Sequence, residues 1–427
     1  MKKISLSFYA FHLLIFFAFI SNAPSAHSST NESAIEIFTQ QIEIRNRFKN
    51  FINLKEAQNE EKINNAKSQI TELRYDKDVL LEMANNNFTR DINQISPPAF
   101  SEGGVTFVGP GFNSITFESG DLILMRGLST ISTTIATMSD VESQFSHILM
   151  VYKNPNSGQL LAMEALLDKG VVIHPLADIL NEGSPRLVLY RHKNRTLAIK
   201  AAQIAYDEGM KFIKLGKTKP YDFKLNLLNY DEVYCAEFIR MAYDLASSGQ
   251  VLLPTFPSTL GGKFSHTLTS LGLHPMILPI FAPSDIDLDP QFNLAYEWID
   301  PLATLNYRIK DQILSYLFDA IERGVVDLNL GPAIELGKNL VRGDASGSSS
   351  PMNPEKISAF TKKVDQFMAV LTIELRKVNQ HVVDQHGRNM TAQELREYLL
   401  TLENNPKTKV ILNSMLKASG LIKPLAP

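Results

Sequence analysis

The sequence predicts an α+β fold, and three observations predict it. Between Asp121 and Tyr190 several short apolar runs are separated by turn-forming residues, which is the texture of strands. Helical spacing takes over at Leu197–Gly209 and Ala236–Ala246, so strands come first and helices follow, rather than the two alternating. Longer helical patterns lie before residue 95 and after about Tyr307. The strand-rich middle is thus a core flanked by N- and C-terminal helical regions. With 427 residues, 44% hydrophobic and 20% charged, the chain is long enough for two or three units at roughly 100–200 residues each. That composition excludes a disulfide-stapled miniprotein, a collagen-like fibre and a wholly disordered chain. A formal charge of −3 without a basic run gives no electrostatic reason to expect nucleic acid.

Taken in order, residues 1–26 read as an export signal. Lys2 and Lys3 precede an apolar run from Ile4 to Ile20, interrupted only by Ser5, Ser7 and His12, and the small residues Ala23, Ser25 and Ala26 follow. This is the charged, apolar and small-residue order of a cleavable signal. The alternative is a membrane anchor, for which the run falls short of the ~20 residues a spanning helix needs. Cleavage removes two lysines and leaves a charge of −5. No later stretch is long and apolar enough to cross a bilayer, so the mature protein is expected to be soluble, and periplasmic or secreted.

Residues 27–95 are read as a helical N-terminal region. Ile35, Phe38, Ile42, Phe48, Phe51 and Ile52 recur at helical spacing, and a heptad-like series, Ile63, Ala66, Ile70, Leu73, Leu80 and Ala84, follows with Lys77 interrupting it. Such a stretch serves either as a coiled coil for a partner or as a hairpin packed on its own protein. Pro97, Pro98, Gly103, Gly104, Gly109, Pro110 and Gly111 then mark a boundary, which opens a central domain at 96–305. Strands are expected at Asp121–Met125, His147–Tyr152, Leu160–Leu166, Val171–His174 and Leu187–Tyr190. From 306 to 427 the pattern is helical, broken by a flexible linker at 343–353 that includes Ser348, Ser349 and Ser350. Asn353-Pro354 begins the next helix. Ile357, Phe360, Val364, Phe367, Leu371, Leu375 and Val378 line one of its faces, and Thr391 with Glu394 has capping-box spacing for a further helix.

Chemistry is expected between residues 120 and 240. Exported proteins use cysteine mostly in pairs, yet Cys235 is the only cysteine in the chain. It is therefore buried filler, an intermolecular link or a working thiol. It opens the helical pattern Ala236, Phe238, Ile239, Ala242, Tyr243, a position where free backbone N–H groups favour an anion. Two apolar strands, one holding His147 and the other Glu164, flank the turn sequence Lys153–Gly158. Folding that hairpin about Pro155–Asn156 sets His147 directly opposite Glu164, and opposed side chains are close enough to bond; a one-residue slip would put them on opposite faces. Taken alone, Glu164 reads as a solvent-facing glutamate and His147 as a core histidine. Together with the thiol they make a nucleophile, a general base and later acid, and a residue that orients the imidazole. The Cys235 N–H is placed to stabilise an oxyanion.

Gly120-Asp121-Leu-Ile-Leu124, Ser146-His147-Ile-Leu-Met-Val151, Met163-Glu164-Ala165, Pro220-Tyr221-Asp222-Phe223 and Tyr234-Cys235-Ala-Glu-Phe-Ile239 resemble the permuted papain-like cysteine hydrolases, the YiiX/YebB-like branch of the NlpC/P60 superfamily. In ordinary members the cysteine helix precedes the Gly-Asp-Leu and histidine strands; here it follows them. Covering about residues 100–300, the resemblance implies an antiparallel sheet packed on the cysteine-bearing helix, with Cys235, His147 and Glu164 as the catalytic residues. Tyr221 and Asp222 occupy a motif near the site in relatives, as a turn anchor or as substrate contacts, and Tyr234 stands where many unpermuted relatives carry aspartate. Substrate does not follow from fold. Hydrolysis of an amide through a thioester on Cys235 is the expected reaction, with cell-wall peptide as its candidate substrate. A lipid-acting thiol acyl hydrolase or acyltransferase, and a non-catalytic envelope adaptor using its helical regions to bind a protein partner, are the alternatives. No cofactor or metal is expected. Asp285-Ile-Asp-Leu-Asp289 lacks the central glycine and final glutamate of a calcium loop, His381 and His386 lie five apart, and His174, His192, His266 and His274 form no ligand spacing with a second cysteine.

Overall fold

The computed structural model describes residues 60–86, 99–101 and 104–106 and then, with short gaps, 117–260, 278–328 and 354–423. The expected signal at 1–26, the helical series Ile35–Ile52 and the linker at 343–353 lie outside the described residues. Helix α1 (Glu60–Asn86) precedes a six-stranded sheet built from β1 (Leu122–Arg126), β2 (His147–Lys153), β3 (Leu160–Leu166), β4 (Gly170–Pro175), β5 (Arg186–His192) and β6 (Phe292–Ile299). Between the strands come α2 (Thr130–Thr137), α3 (Leu176–Asn181), α4 (Arg195–Lys214) and α5 (Cys235–Ser247); α6 (Pro301–Glu322), α7 (Pro354–His386) and α8 (Ala392–Asn404) follow the sheet. Among the described residues no helix is long and apolar enough to cross a membrane.

Every neighbouring pair in the sheet is antiparallel and the spatial order is β6-β5-β1-β2-β3-β4. Strand alternation sorts the apolar side chains into two layers. Leu122, Leu124, Ile148, Met150, Met163, Ala165 and Val188 join the core under α4 and α5, while Ile123, Leu149, Val151, Ala162 and Leu189 join a smaller cluster with Leu176, Ile179 and Leu180 of α3. Helix α4 presents Ala198, Ala201, Ala202 and Ala205, all without exposed surface, and these short side chains let it lie close to the sheet and to α5. Gly120 serves the same approach: it has φ +83°, and a Cβ there would lie 2.4 Å from the Ala198 carbonyl oxygen. Only glycine fits both the backbone angle and the space.

The expected strands stand where the apolar runs placed them: Leu160–Leu166 is unchanged, the first has slid one residue to Leu122–Arg126, and the others are extended by one to three residues. Strand β6 was not anticipated. It pairs with β5, and its register shifts between Leu294 and Tyr296, so a bulge breaks the two-residue alternation by which a strand is recognised. The helix expected from about Tyr307 begins earlier, at Pro301, so the boundary expected between 305 and 306 falls inside α6.

Helix α1 packs on its own chain, through a face that is charged as well as apolar. Ala66, Ile70 and Val79 are buried, but so are Lys67, Arg74, Asp78 and Glu82, spaced to share one side of a helix. Each meets an opposite charge from the rest of the protein. Lys67 pairs with Asp285 at 2.7 Å and Arg74 with Asp287, Asp78 pairs with Arg186 of β5, and Glu82 pairs with Arg308 of α6 at 2.7 Å. Arg186 also pairs with Glu297 of β6 and donates to the Tyr307 hydroxyl, at 3.0 Å. A second bridge ties the sheet to α6: Arg126 of β1 pairs with Asp311, which accepts from the Tyr75 hydroxyl of α1 at 2.9 Å. The Asp285–Asp289 run is thereby explained. Two of its acids anchor α1, and the third, Asp289, accepts from the backbone N–H groups of Thr255 at 2.8 Å and Gln291 at 2.9 Å.

The same helix braces the segment leading into β2. Thr71 donates to the Glu142 carbonyl at 3.0 Å, Gln144 donates to Asp78 at 3.3 Å, and the Arg74 guanidinium lies over the Phe145 ring at 4.7 Å. Removing one partner of a buried ion pair strands the other without water. Asp78→Ala leaves Arg186, which has no exposed surface, with one carboxylate fewer. It should lower the unfolding free energy in urea by about 3–5 kcal/mol; an unchanged urea midpoint would show that the charged face of α1 contributes nothing.

Candidate active site

Three segments meet at the N-terminus of α5. Cys235 is its first residue, 5% exposed. Tyr234 precedes it in extended backbone, with φ −91° and ψ 175°; its N–H donates to the Glu237 carboxylate at 3.3 Å, and its carbonyl accepts from the Phe238 N–H at 2.9 Å. This arrangement starts the helix at the cysteine and leaves the first N–H groups of α5 pointing outward at the sulfur's end of the helix.

His147 opens β2 and Glu164 lies in β3, and the two side chains are joined by a hydrogen bond between Nε2 and Oε2. They do not meet in the expected way. The ladder between β2 and β3 runs from Lys153↔Leu160 to Met150↔Met163, a register two residues removed from one centred on Pro155–Asn156. The turn explains the difference. Asn154 and Gln159 close it with a 2.9 Å backbone bond, the Asn154 side chain accepts from the N–H groups of Asn156 and Ser157, and Gly158 takes φ +72°, so the loop centres on Asn156–Ser157. His147 and Glu164 are therefore diagonal neighbours beyond the last ladder pair, rather than directly opposed. A shift of one residue would have separated them; a shift of two keeps both on one face.

The sulfur completes the line. The His147 ring hydrogen-bonds both the Cys235 side chain and Glu164; with Nε2 on the carboxylate, Nδ1 is the nitrogen left for sulfur. Burial by itself would lower the imidazole value. The bonds to Cys235 and Glu164, and the charge of both, override it and raise His147 from 6.5 to about 10. Burial likewise opposes the charged form of Glu164, and the hydrogen bond from His147, with the charge of His147 and His174, overrides it, holding the carboxyl down at about 2. The site thus keeps an imidazolium and a carboxylate in contact at neutral pH, which is what makes burying the carboxylate tolerable.

His174 was not read as part of the site. Its Nε2 lies 2.5 Å from Glu164 Oε1, a contact too poorly aligned to count as a regular hydrogen bond. The signal available in the sequence was its place in the strand following Glu164's, but a histidine one strand away has no sequence spacing that marks it.

Tyr221 reaches the nucleophile from the loop after α4, its hydroxyl accepting the backbone N–H of Cys235. Burial first, and then the negative charge expected at Cys235, push that phenol well above its ordinary value, so it keeps its proton and can donate it. The loop is held on the sheet by Val171, whose N–H donates to the Lys219 carbonyl at 2.9 Å. Gly170 permits this: with φ +69°, a Cβ there would lie 2.1 Å from the same oxygen. Asp222 is buried beside Glu237; burial, and next the Asp222 charge, raise the Glu237 carboxyl from 4.5 to about 8. Tyr234 is buried and its hydroxyl accepts from the Phe281 N–H at 2.9 Å. Of the residues singled out in the sequence, the structure gathers Cys235, His147, Glu164 and Tyr221 into one chain of contacts. It sets Asp222 against α5 and turns the Tyr234 hydroxyl toward the backbone of Phe281. Among the described residues, no group of three or more histidines, cysteines and acids could hold a metal ion.

An antiparallel sheet carrying the histidine, followed in sequence by a helix that begins at a cysteine, defines a papain-like fold in permuted order. Residues 116–254 of the chain match the family model described as permuted papain-like amidase enzyme, YaeF/YiiX, C92 family. The protein is a hydrolase of the cysteine peptidase or amidase type. Among solved structures, the chain is similar to metalloprotein yiiX from Escherichia coli O157:H7, at 22% identity over 43% of this chain and 98% of that one, with a TM-score of 0.32. No curated protein matches.

The values above set a pH dependence. His147 stands higher in the folded protein than in the unfolded chain, so its stabilisation is whole below pH 6.5, declines as pH rises and is gone above about 10. Glu164 is the reverse: its contribution is present above pH 4.5 and is lost as pH falls through about 2. Urea unfolding of the wild type and of His147→Gln should therefore show a stability gap at neutral pH that narrows steadily towards pH 10; a gap that stays constant would contradict the pairing.

Proposed function

We propose that the protein is an exported cysteine amidase that cleaves peptide amide bonds, with cell-wall peptide as its substrate class, through a thioester on Cys235. One observation carries the reading: a single imidazole contacts both the only thiol in the chain and a buried carboxylate. The amidase description of the family supports amide cleavage, and the charged, apolar and small-residue order of residues 1–26 supports export.

The reacting pair in this mechanism is a Cys235 thiolate beside the His147 imidazolium. The Cys235 sulfur attacks the amide carbonyl carbon, and the electron pair of the C=O bond moves onto oxygen. That oxyanion takes the place of the Tyr221 hydroxyl at the Cys235 N–H, with the phenol O–H as a second donor. When the tetrahedral species collapses, the C–N bond breaks, and the leaving nitrogen takes the His147 proton and departs as an amine. Neutral His147 then removes a proton from water; the resulting hydroxide attacks the thioester, the C–S bond breaks, and the acid is released with the thiolate and imidazolium restored. Glu164 keeps the ring in one orientation through both proton transfers and stabilises its charged form.

Cys235→Ala should abolish the release of new amino groups from purified sacculi while leaving the melting temperature nearly unchanged. Undiminished release by that variant would end the proposal, and no release by the wild type would move the substrate away from cell wall. A substrate-free check is alkylation. Iodoacetamide should label Cys235 at about pH 6, well below the ~8.5 at which an ordinary thiol ionises, and His147→Ala should slow this labelling at least tenfold. Equal rates in the two proteins would show that the imidazole does not activate the thiol.

A further inference from the structure

Glu164 has two carboxylate oxygens, and the mechanism proposed above employs one. Oε2 is bonded to His147; Oε1 lies 2.5 Å from Nε2 of His174, a residue of β4. The ladder between β3 and β4 fixes this second contact. Glu164 pairs with Val172 and Ala162 with His174, so Glu164 and His174 are diagonal neighbours on the same face. The carboxylate is 2% exposed while the His174 side chain is 27% exposed, so the line of contacts leads from the sulfur through a buried acid to an imidazole at the protein surface.

A carboxylate bonded at one oxygen can turn about its terminal bond and present either oxygen, or neither, to its partner. Inside a protein each such departure strands a charge away from water. A second imidazole on the other oxygen removes that freedom. We propose that His174 is a positioning residue for the hydrolytic reaction, holding Oε1 of Glu164 so that Oε2 stays on His147. This rests on the reading of Cys235, His147 and Glu164 as the reacting groups. The groups facing His147 are Cys235 from α5 and Glu164 from β3; those facing Glu164 are His147 from β2 and His174 from β4. The contact that His174 makes in this line is with the carboxylate, so a positioning effect on the sulfur's imidazole passes through Glu164.

That requirement makes the proposal testable by the titration of one ring. In protein with isotope-labelled histidine, the midpoint of His147 is read by NMR in the wild type, His174→Phe, His174→Gln, Glu164→Gln and the double variant Glu164→Gln/His174→Phe. His174→Phe should lower the midpoint by about 0.5–1 pH unit, because the carboxylate no longer sits squarely on the ring. His174→Gln retains an N–H donor and should hold the midpoint near the wild-type value. In the Glu164→Gln background, His174→Phe should change nothing further. If the phenylalanine side chain lowers the melting temperature, His174→Asn, too short to reach the carboxylate, replaces it with the same expectation. An unchanged midpoint in the phenylalanine or asparagine variant overturns the proposal, and so does an equal shift with and without Glu164. The titration needs no substrate, so failure of the amidase reading in the Cys235→Ala experiment is registered separately from failure here.

Discussion

The buried carboxylate of Glu164 is the constraint on which the site depends. A charge in that position is tolerated only if it is compensated nearby, and compensation comes from imidazoles on two different strands, His147 of β2 and His174 of β4. For both to reach one carboxylate, the three strands must keep their registers, and the turn at Asn154–Gln159 and the ladder of β3 with β4 supply them. For the same imidazole to reach sulfur, α5 must begin at Cys235, and the Tyr234–Glu237 contact sets that start. The positive charge drawn onto His147 by the carboxylate is also what a thiolate requires beside it. Stability and chemistry at this point use the same electrostatic interaction.

A second ionic system, away from the sulfur, holds the architecture around it. Lys67, Arg74, Asp78 and Glu82 of α1 each find an opposite charge in the body of the protein, and Arg126 and Asp311 join the sheet to α6. Buried ion pairs are a weak source of net stability, because desolvation offsets much of their attraction, but they penalise every misaligned packing heavily. A purely apolar helix could slide along the sheet with little loss; this one matches its partners in one placement. Since α1 also grips the segment from Glu142 to Phe145, just ahead of His147, its placement bears directly on where the imidazole stands.

Hydrophobic alternation, turn residues and a lone cysteine at the start of a helical pattern are local signals, and they were legible. From them came the strands at Leu160–Leu166 and its neighbours, the helices α4 and α5, and the choice of Cys235, His147 and Glu164 as residues belonging together. The register of the His147–Glu164 hairpin was legible only in parity, since the Asx-turn at Asn154 moves the loop centre by one residue without leaving a distinct mark in the composition. The bulged strand β6 escaped because its alternation is interrupted, and the charged face of α1 escaped because charges at helical spacing ordinarily face water.

The sequence by itself determined which segments become strands and helices and which side chains could take part in thiol chemistry, because those properties reside in residue type and spacing over a few positions. Only the tertiary structure decided that His174 shares the carboxylate, that Tyr221 lies on the Cys235 N–H, and that Asp285 and Asp287 pair with cations of α1 while Asp289 accepts backbone N–H groups. Each of these is a contact between residues remote in sequence. Whether an acid is solvated, paired with a cation or held between two imidazoles depends on what the folded chain brings to it, and no local pattern records that.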